Sequence, residues 1–300
     1  MMGLSIFLLA AVVSASAEPV NNPVFEELTR RGLAMSDGLT VKLPPPVVAE
    51  GLDAAAQRAA LEKASQPTAT FDELIKKSYY TPTIVKIRTL RPFVDEKSAV
   101  RSVDLWFVAR GDWKTVTSQE FVELVFKRKA EKAGGVVSRM GELTDREMAA
   151  RKLLSPDGEG CRSRFIYTTF SLFERVELST TRHATVTRGE DFVLAAARVD
   201  PRFDGDRDFP NQWRPLLRDA EANIRPGPAK PYAHAGGYAK LTRLKEPSDA
   251  VLVECHLIYE EPYGWFDGVN LVKQKARAMV EEKARVFRRK LTLADQKQED

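Results

Sequence analysis

The stretch DAVLVECHLIYEEPYGW, residues 249–265, decides how the rest of the chain is read. Val251, Val253, Cys255, Leu257 and Tyr259 occupy alternate positions, the signature of a strand over 249–260 with one apolar face. Pro262 and Gly264 then turn the chain. Beyond them, Val269, Val272, Ala276, Met279, Val280, Ala284, Phe287 and Leu291 recur at helical spacing across 268–291. An apolar strand face running into a long amphipathic helix predicts that the helix packs on a sheet.

Working outward, 237–245 reads as the preceding strand, with Glu246-Pro247-Ser248 as the turn between them. Residues 164–173, 176–188 and 191–199 form three more strand patterns, the last two joined at Gly189-Glu190. Earlier, Thr83, Val85, Ile87 and Thr89 alternate with charges, and Val103, Leu105, Phe107 and Ala109 share a second face, which predicts a hairpin. A helix is expected over 118–132, carrying Phe121, Leu124, Val125 and Arg128, and the capping box Thr144-Asp145-Arg146-Glu147 starts another. The proline-rich stretch 200–236 reads as loop with a short helix at 213–223. The expectation is an α+β fold: an antiparallel sheet of about seven strands packed on a long C-terminal helix.

Residues 1–17 have the pattern of a cleaved secretory signal. Ile6 to Val13 form an apolar core too short to span a bilayer, and Ala15-Ser16-Ala17 supplies a cleavage site. Met1-Met2-Gly3 lacks Lys or Arg, so a retained anchor stays open. Residues 18–70 read as a helical N-terminal extension, with a helix over 52–64, and 71–300 as the body. A secreted or periplasmic protein with no later transmembrane segment is expected. Cys161 and Cys255 would then meet an oxidising space, either as a disulfide or as two small buried thiols. The 46 basic and 42 acidic residues are evenly mixed, leaving no basic footprint for nucleic acid.

No sequence motif nominates a catalytic centre. His183, His234 and His256 lie outside any zinc spacing, and no nucleophile elbow, Walker or Rossmann glycine pattern occurs, so no cofactor or metal is expected. Asp204-Gly205-Asp206-Arg207-Asp208 alternates carboxylates as calcium loops do, but Phe209 and Pro215 stand where the glycine and glutamate belong. Arg182 shares strand parity with Val176, Leu178, Ala184 and Val186, and Arg198 with Phe192, Leu194 and Ala196. A charge on an apolar face must be paired, snorkel outward or meet a ligand. Arg288-Arg289-Lys290 complements a helix end or attracts an anionic surface.

One resemblance adds to these patterns. Gly236-Gly237-Tyr238 opens a strand, 249–260 makes the next, and Glu261-Pro262-Tyr263-Gly264-Trp265 leads through Asn270-Leu271-Val272 into the last helix. This resembles the C-terminal part of START-like, helix-grip lipid-binding domains, where a Pro-x-Gly-Trp turn links the last strand to the helix. It covers residues 236–291; the first half agrees in element order alone, and 18–70 has no counterpart. The resemblance implies a sheet curled around the helix, with a cavity for a hydrophobic small molecule or lipid between them. Tyr259 and Met279 would line that cavity, and Arg182 or Arg198 would orient a polar end. The expected function is non-catalytic ligand binding. Alternatives are an envelope interaction protein with a filled core and, with no acid/base pair to nominate, a hydrolase or a cyclase of the kind the family contains.

Overall fold

A computed structural model of the chain describes residues 21–299 other than 95–96, 119, 122–131, 134–135, 154–160, 222 and 267–270. The apolar start at 1–17 lies outside the described residues, as does most of the helix expected over 118–132.

The chain forms β1 (Thr83–Arg91), β2 (Ser98–Arg110), β3 (Arg139–Glu142), β4 (Cys161–Leu172), β5 (Val176–Arg188), β6 (Phe192–Val199), β7 (Gln212–Arg218), β8 (Ile224–Pro226), β9 (Lys230–Pro231), β10 (Ala235–Arg243) and β11 (Ala250–Pro262), the longer ones following the alternation of their side chains. All eleven belong to one antiparallel sheet in the order β8-β7-β5-β6-β10-β11-β2-β1, with β4 on β5, β3 on β4 and β9 on β7. The count exceeds the seven expected from the sequence because β3, β7, β8 and β9 are short or carry proline. Residues 213–223 correct a second expectation: instead of a helix, Gln212–Arg218 form a strand. Pro215 would break a helix interior, whereas here it pairs with Val176 and Trp213 is buried.

The tight hairpins have local causes. At Gly189, between β5 and β6, an added Cβ would stand 2.2 Å from the Phe192 ring, so only glycine fits. Between β4 and β5, Phe173 and Glu174 hold φ of 53° and 56° in a turn closed by the Arg175 amide on the Leu172 carbonyl. Both angles suit a hairpin turn that favours Asn or Gly. Phe173 offsets the strain by packing on Phe266, ring centroids 5.6 Å apart.

The two faces of the sheet have different covers. The C-terminal helix (Leu271–Glu299) lays Val280, Ala284, Phe287 and Leu291 on Leu105, Phe107, Val186, Val193, Leu241, Val251 and Val253. The other face is covered by the N-terminal segment. There Val24, Leu28, Met35 and Leu43 pack on Val100, Phe192, Leu194, Tyr238 and Ile258, and the helix Ala54–Ser65 adds Leu61 beside Ile84, Trp106 and Leu252. Asp53 caps that helix by accepting from the Ala56 amide. Ahead of it, the helical turns Pro23–Glu26 and Glu27–Arg31 end where Gly32 takes φ of 90°.

Candidate ligand-binding site

Residues directly opposite each other across an antiparallel pair share a face, which sorts the candidate side chains. Val199 lies opposite Arg182, and Arg198 opposite His183. The two arginines therefore point to opposite faces and do not form one site. Arg182 shares the helix-facing side with Tyr259 and Met279. Arg198 faces the N-terminal segment, where its Nε donates to Glu27 at 2.9 Å.

On the helix-facing side, Tyr259 joins an aromatic cluster with Phe170, Leu172, Trp213, Tyr232, Trp265 and Phe266, and Met279 packs against it from the C-terminal helix. Trp213 and Trp265 meet edge to face at 6.4 Å. Beside Tyr259 runs a buried ion pair, Arg101 Nε to Glu261 at 2.8 Å, with Glu261 fully buried. Burial pushes the Glu261 carboxyl upward in pKa, and Arg101 opposes the shift. Burial likewise raises the Tyr259 phenol, so it stays protonated. Three buried polar atoms here have no hydrogen-bond partner: Tyr259 Oη, Glu261 Oε1 and Trp265 Nε1. Such atoms are costly unless something meets them.

Further along the same face, β4 and β5 carry four arginines. Arg162 lies opposite Val186, Arg164 opposite Ala184, and Arg182 opposite Ile166, while Arg188 follows two residues after Val186. Arg164 pairs with Glu142, and Arg182 donates to Thr168 at 2.7 Å. Arg188 donates from Nη1 to the Thr117 carbonyl at 3.1 Å. The sequence reading missed Arg162, Arg164 and Arg188 as a group. Arg188 has the parity of Arg182 on the same expected strand, whereas Arg162 joins only because β4 begins at Cys161, before the expected start at 164.

On the opposite face lies a buried cluster that single-residue reading dismissed. His256 Nδ1 is 2.8 Å from Asp104, which also takes Arg88. Glu254 and Lys240 stand opposite each other in the next row. Burial lowers the His256 pKa, but Asp104 and Glu254 outweigh it and hold the ring above its ordinary value. The N-terminal segment seals the cluster: Glu254 accepts from the Val47 amide at 2.6 Å, Tyr238 donates to Pro44 O at 2.7 Å, and Lys240 donates to Val48 O at 3.2 Å. Elsewhere on this face, on β4 and β5, Ser163 Oγ and His183 Nε2 are 2.7 Å apart, a nucleophile-and-base spacing. Ser163 is only 2% exposed, however, which shields its hydroxyl from a substrate.

Other sequence candidates are engaged structurally. Arg151 binds Asp206 at 2.7 and 3.0 Å and Asp208 at 2.9 Å, so a guanidinium occupies the loop that resembled a calcium site. That contact holds the Asp206 carboxyl down at about 2. Among the described residues no His, Cys, Asp and Glu group could hold a metal. Arg288 is no surface cation; it is buried, donating to the Val108, Thr81 and Pro82 carbonyls at 2.9, 2.9 and 3.0 Å. Cys161 and Cys255 are not disulfide-bonded and sit on opposite faces. No helix among the described residues is long and apolar enough to cross a membrane. A scan against protein-family models finds no match, and a search of curated proteins finds none either.

Proposed function

We propose that this protein is an exported, non-catalytic carrier with a helix-grip-like body, binding an apolar or amphiphilic small molecule between its sheet and C-terminal helix. The observation that carries the reading is the unpartnered polar trio in the aromatic cluster, Tyr259 Oη, Glu261 Oε1 and Trp265 Nε1. An aromatic surface with a few buried polar groups is how small-molecule sites combine affinity with orientation. Met279 beside it adds an adaptable wall. The apolar start of the chain supports export, and an envelope lipid fits that compartment.

The test is to extract the purified protein with organic solvent, examine the extract by mass spectrometry, and titrate a fluorescent fatty acid while following Trp213 and Trp265 emission. The carrier reading expects a co-purifying amphiphile and displaceable probe. An empty extract with no displacement overturns it. A second reading, an envelope interaction protein with a filled core, is favoured by the close packing of Phe287 on Phe107 and Phe121, centroids 5.6 and 5.3 Å apart. Under that reading, Trp emission is unchanged by any amphiphile.

A further inference from the structure

Arg162, Arg164, Arg182 and Arg188 stand on one face of two neighbouring strands. Diagonal neighbours on such a pair lie about 7–8 Å apart. Arg162 and Arg188 are one diagonal pair, around Val186, and Arg164 and Arg182 another, around Ala184. Arg164 is paired with Glu142, whereas neither Arg162 nor Arg188 meets a carboxylate among the described residues. Like charges so close repel, and burial adds a desolvation cost.

The unmet donors identify where the imbalance is greatest. Arg162 Nε, Arg188 Nε and Arg188 Nη2 are buried without a hydrogen-bond partner. Burial also lowers the Arg188 pKa, and among the described residues no carboxylate offsets it. Ordinary ion pairs elsewhere in the protein look different: Arg151, Arg101 and Arg198 each have an acid within 2.9 Å. Guanidinium forks match the geometry of carboxylate and phosphate oxygens, and two forks can hold one oxyanion.

We infer that Arg162 and Arg188 form a binding subsite for an oxyanion head group, a phosphate monoester or a carboxylate. The apolar residues between and beside them, Ala184, Val186, Val193 and Ala195, would take the first part of an attached alkyl chain. The inference rests on the carrier reading for the tail, whereas recognition of the anion stands without it.

The experiment compares four probes by calorimetry on the full chain: dodecyl phosphate, dodecanoate, dodecanol and inorganic phosphate. The expected result is binding of the two anionic amphiphiles about tenfold or more tighter than dodecanol, the size of one charge-assisted hydrogen bond. Arg162→Gln with Arg188→Gln should abolish that preference, and Arg162→Lys with Arg188→Lys should retain part of it. Thermal melts without ligand confirm that each variant folds; if the glutamine pair does not, Arg162→Gln alone carries the comparison, since no hydrogen bond from its Nε is lost. Equal binding of dodecanol and the anions overturns the subsite and leaves the carrier standing. Binding of inorganic phosphate with no gain from the alkyl chain keeps the subsite and removes the carrier. Failure of all four probes overturns both.

Discussion

On the outer face of the sheet, buried acids meet cations or backbone amides. Asp104 takes His256 and Arg88, Glu254 takes the Val47 amide, Glu260 takes Arg91 and Ser36, and Asp200 takes Arg202. On the helix-facing side at β4 and β5, Arg164 pairs with Glu142, while Arg162 Nε, Arg188 Nε and Arg188 Nη2 go unmet among the described residues. Both faces bury charge, but Arg162 and Arg188 meet no carboxylate among the described residues. Under the chain's own N-terminal segment the acids are paired, although Trp106 Nε1, Thr242 Oγ1, Glu254 Oε2 and His256 Nε2 are buried without a hydrogen-bond partner. Two guanidinium groups that meet no acid among the described residues have the composition of a surface awaiting an anion, which is why the ligand reading falls on the helix side.

The sharpest way to break this contrast is to ask whether the C-terminal helix already fills its side. Phe287 is 6% exposed and packs edge to face on Phe107 and Phe121. Phe287→Ala should cost about 3–5 kcal/mol in urea unfolding, as for other buried aromatics. A loss under about 1 kcal/mol would mean that the helix lies over empty space even at its best-packed point.

On the face under the N-terminal segment the effect should be comparable, with a pH signature above neutrality. Asp104→Asn leaves Arg88 and His256 without their carboxylate and should cost about 3 kcal/mol, the usual penalty for breaking a buried pair. The His256 pKa is raised above its ordinary 6.5, with burial opposing and Asp104 and Glu254 raising it. Its contribution is therefore fully present below the unfolded value and is lost as pH rises through the folded one. The urea midpoint should fall on going upward from neutral pH, and His256→Gln should flatten that part of the curve. A wild-type midpoint that rises over this range would show the ring to be buried neutral.

Much of this frame is legible in the residues themselves. Period-two alternation identifies β1, β2, β4, β5, β6, β10 and β11, because one face of each is buried and register must be kept. The capping box at Thr144 appears as expected, with Asp145–Ala150 helical. Short edge strands escape this logic, since Pro215 and Pro226 imitate loop and their pairing energy comes from neighbours far along the chain. The site was harder to read. Parity places Arg182 and Arg198 each on an apolar face, but only the strand register reveals that the faces differ. Asp104 and His256 are separated by 152 residues, and nothing local to either signals the other.

Tyr259 offers a smaller test with the opposite sign. Its hydroxyl is buried without a partner, so Tyr259→Phe removes an unmet group and should stabilise the ligand-free protein by up to about 1 kcal/mol. The same change should weaken any ligand whose polar end meets that hydroxyl. Destabilisation by the phenylalanine would mean that an ordered water or the protein itself already satisfies it. Melting temperature and probe titration on one preparation read both effects.

The smallest expected effect is at Arg198, and it separates the faces most cleanly. Arg198 and Glu27 pair at 2.9 Å with 21% and 34% of their side chains exposed. Partly exposed pairs are typically worth about 0.2–1 kcal/mol, so Arg198→Gln should shift the urea midpoint only slightly. Because Arg198 stands opposite His183, on the face away from Tyr259 and Arg162, it should leave amphiphile titrations unchanged. Removing Arg162 or Arg188 should do the reverse, lowering anion affinity with little stability lost. If Arg198→Gln instead abolished binding, the ligand would belong beneath the N-terminal segment, and that face would be the one that opens.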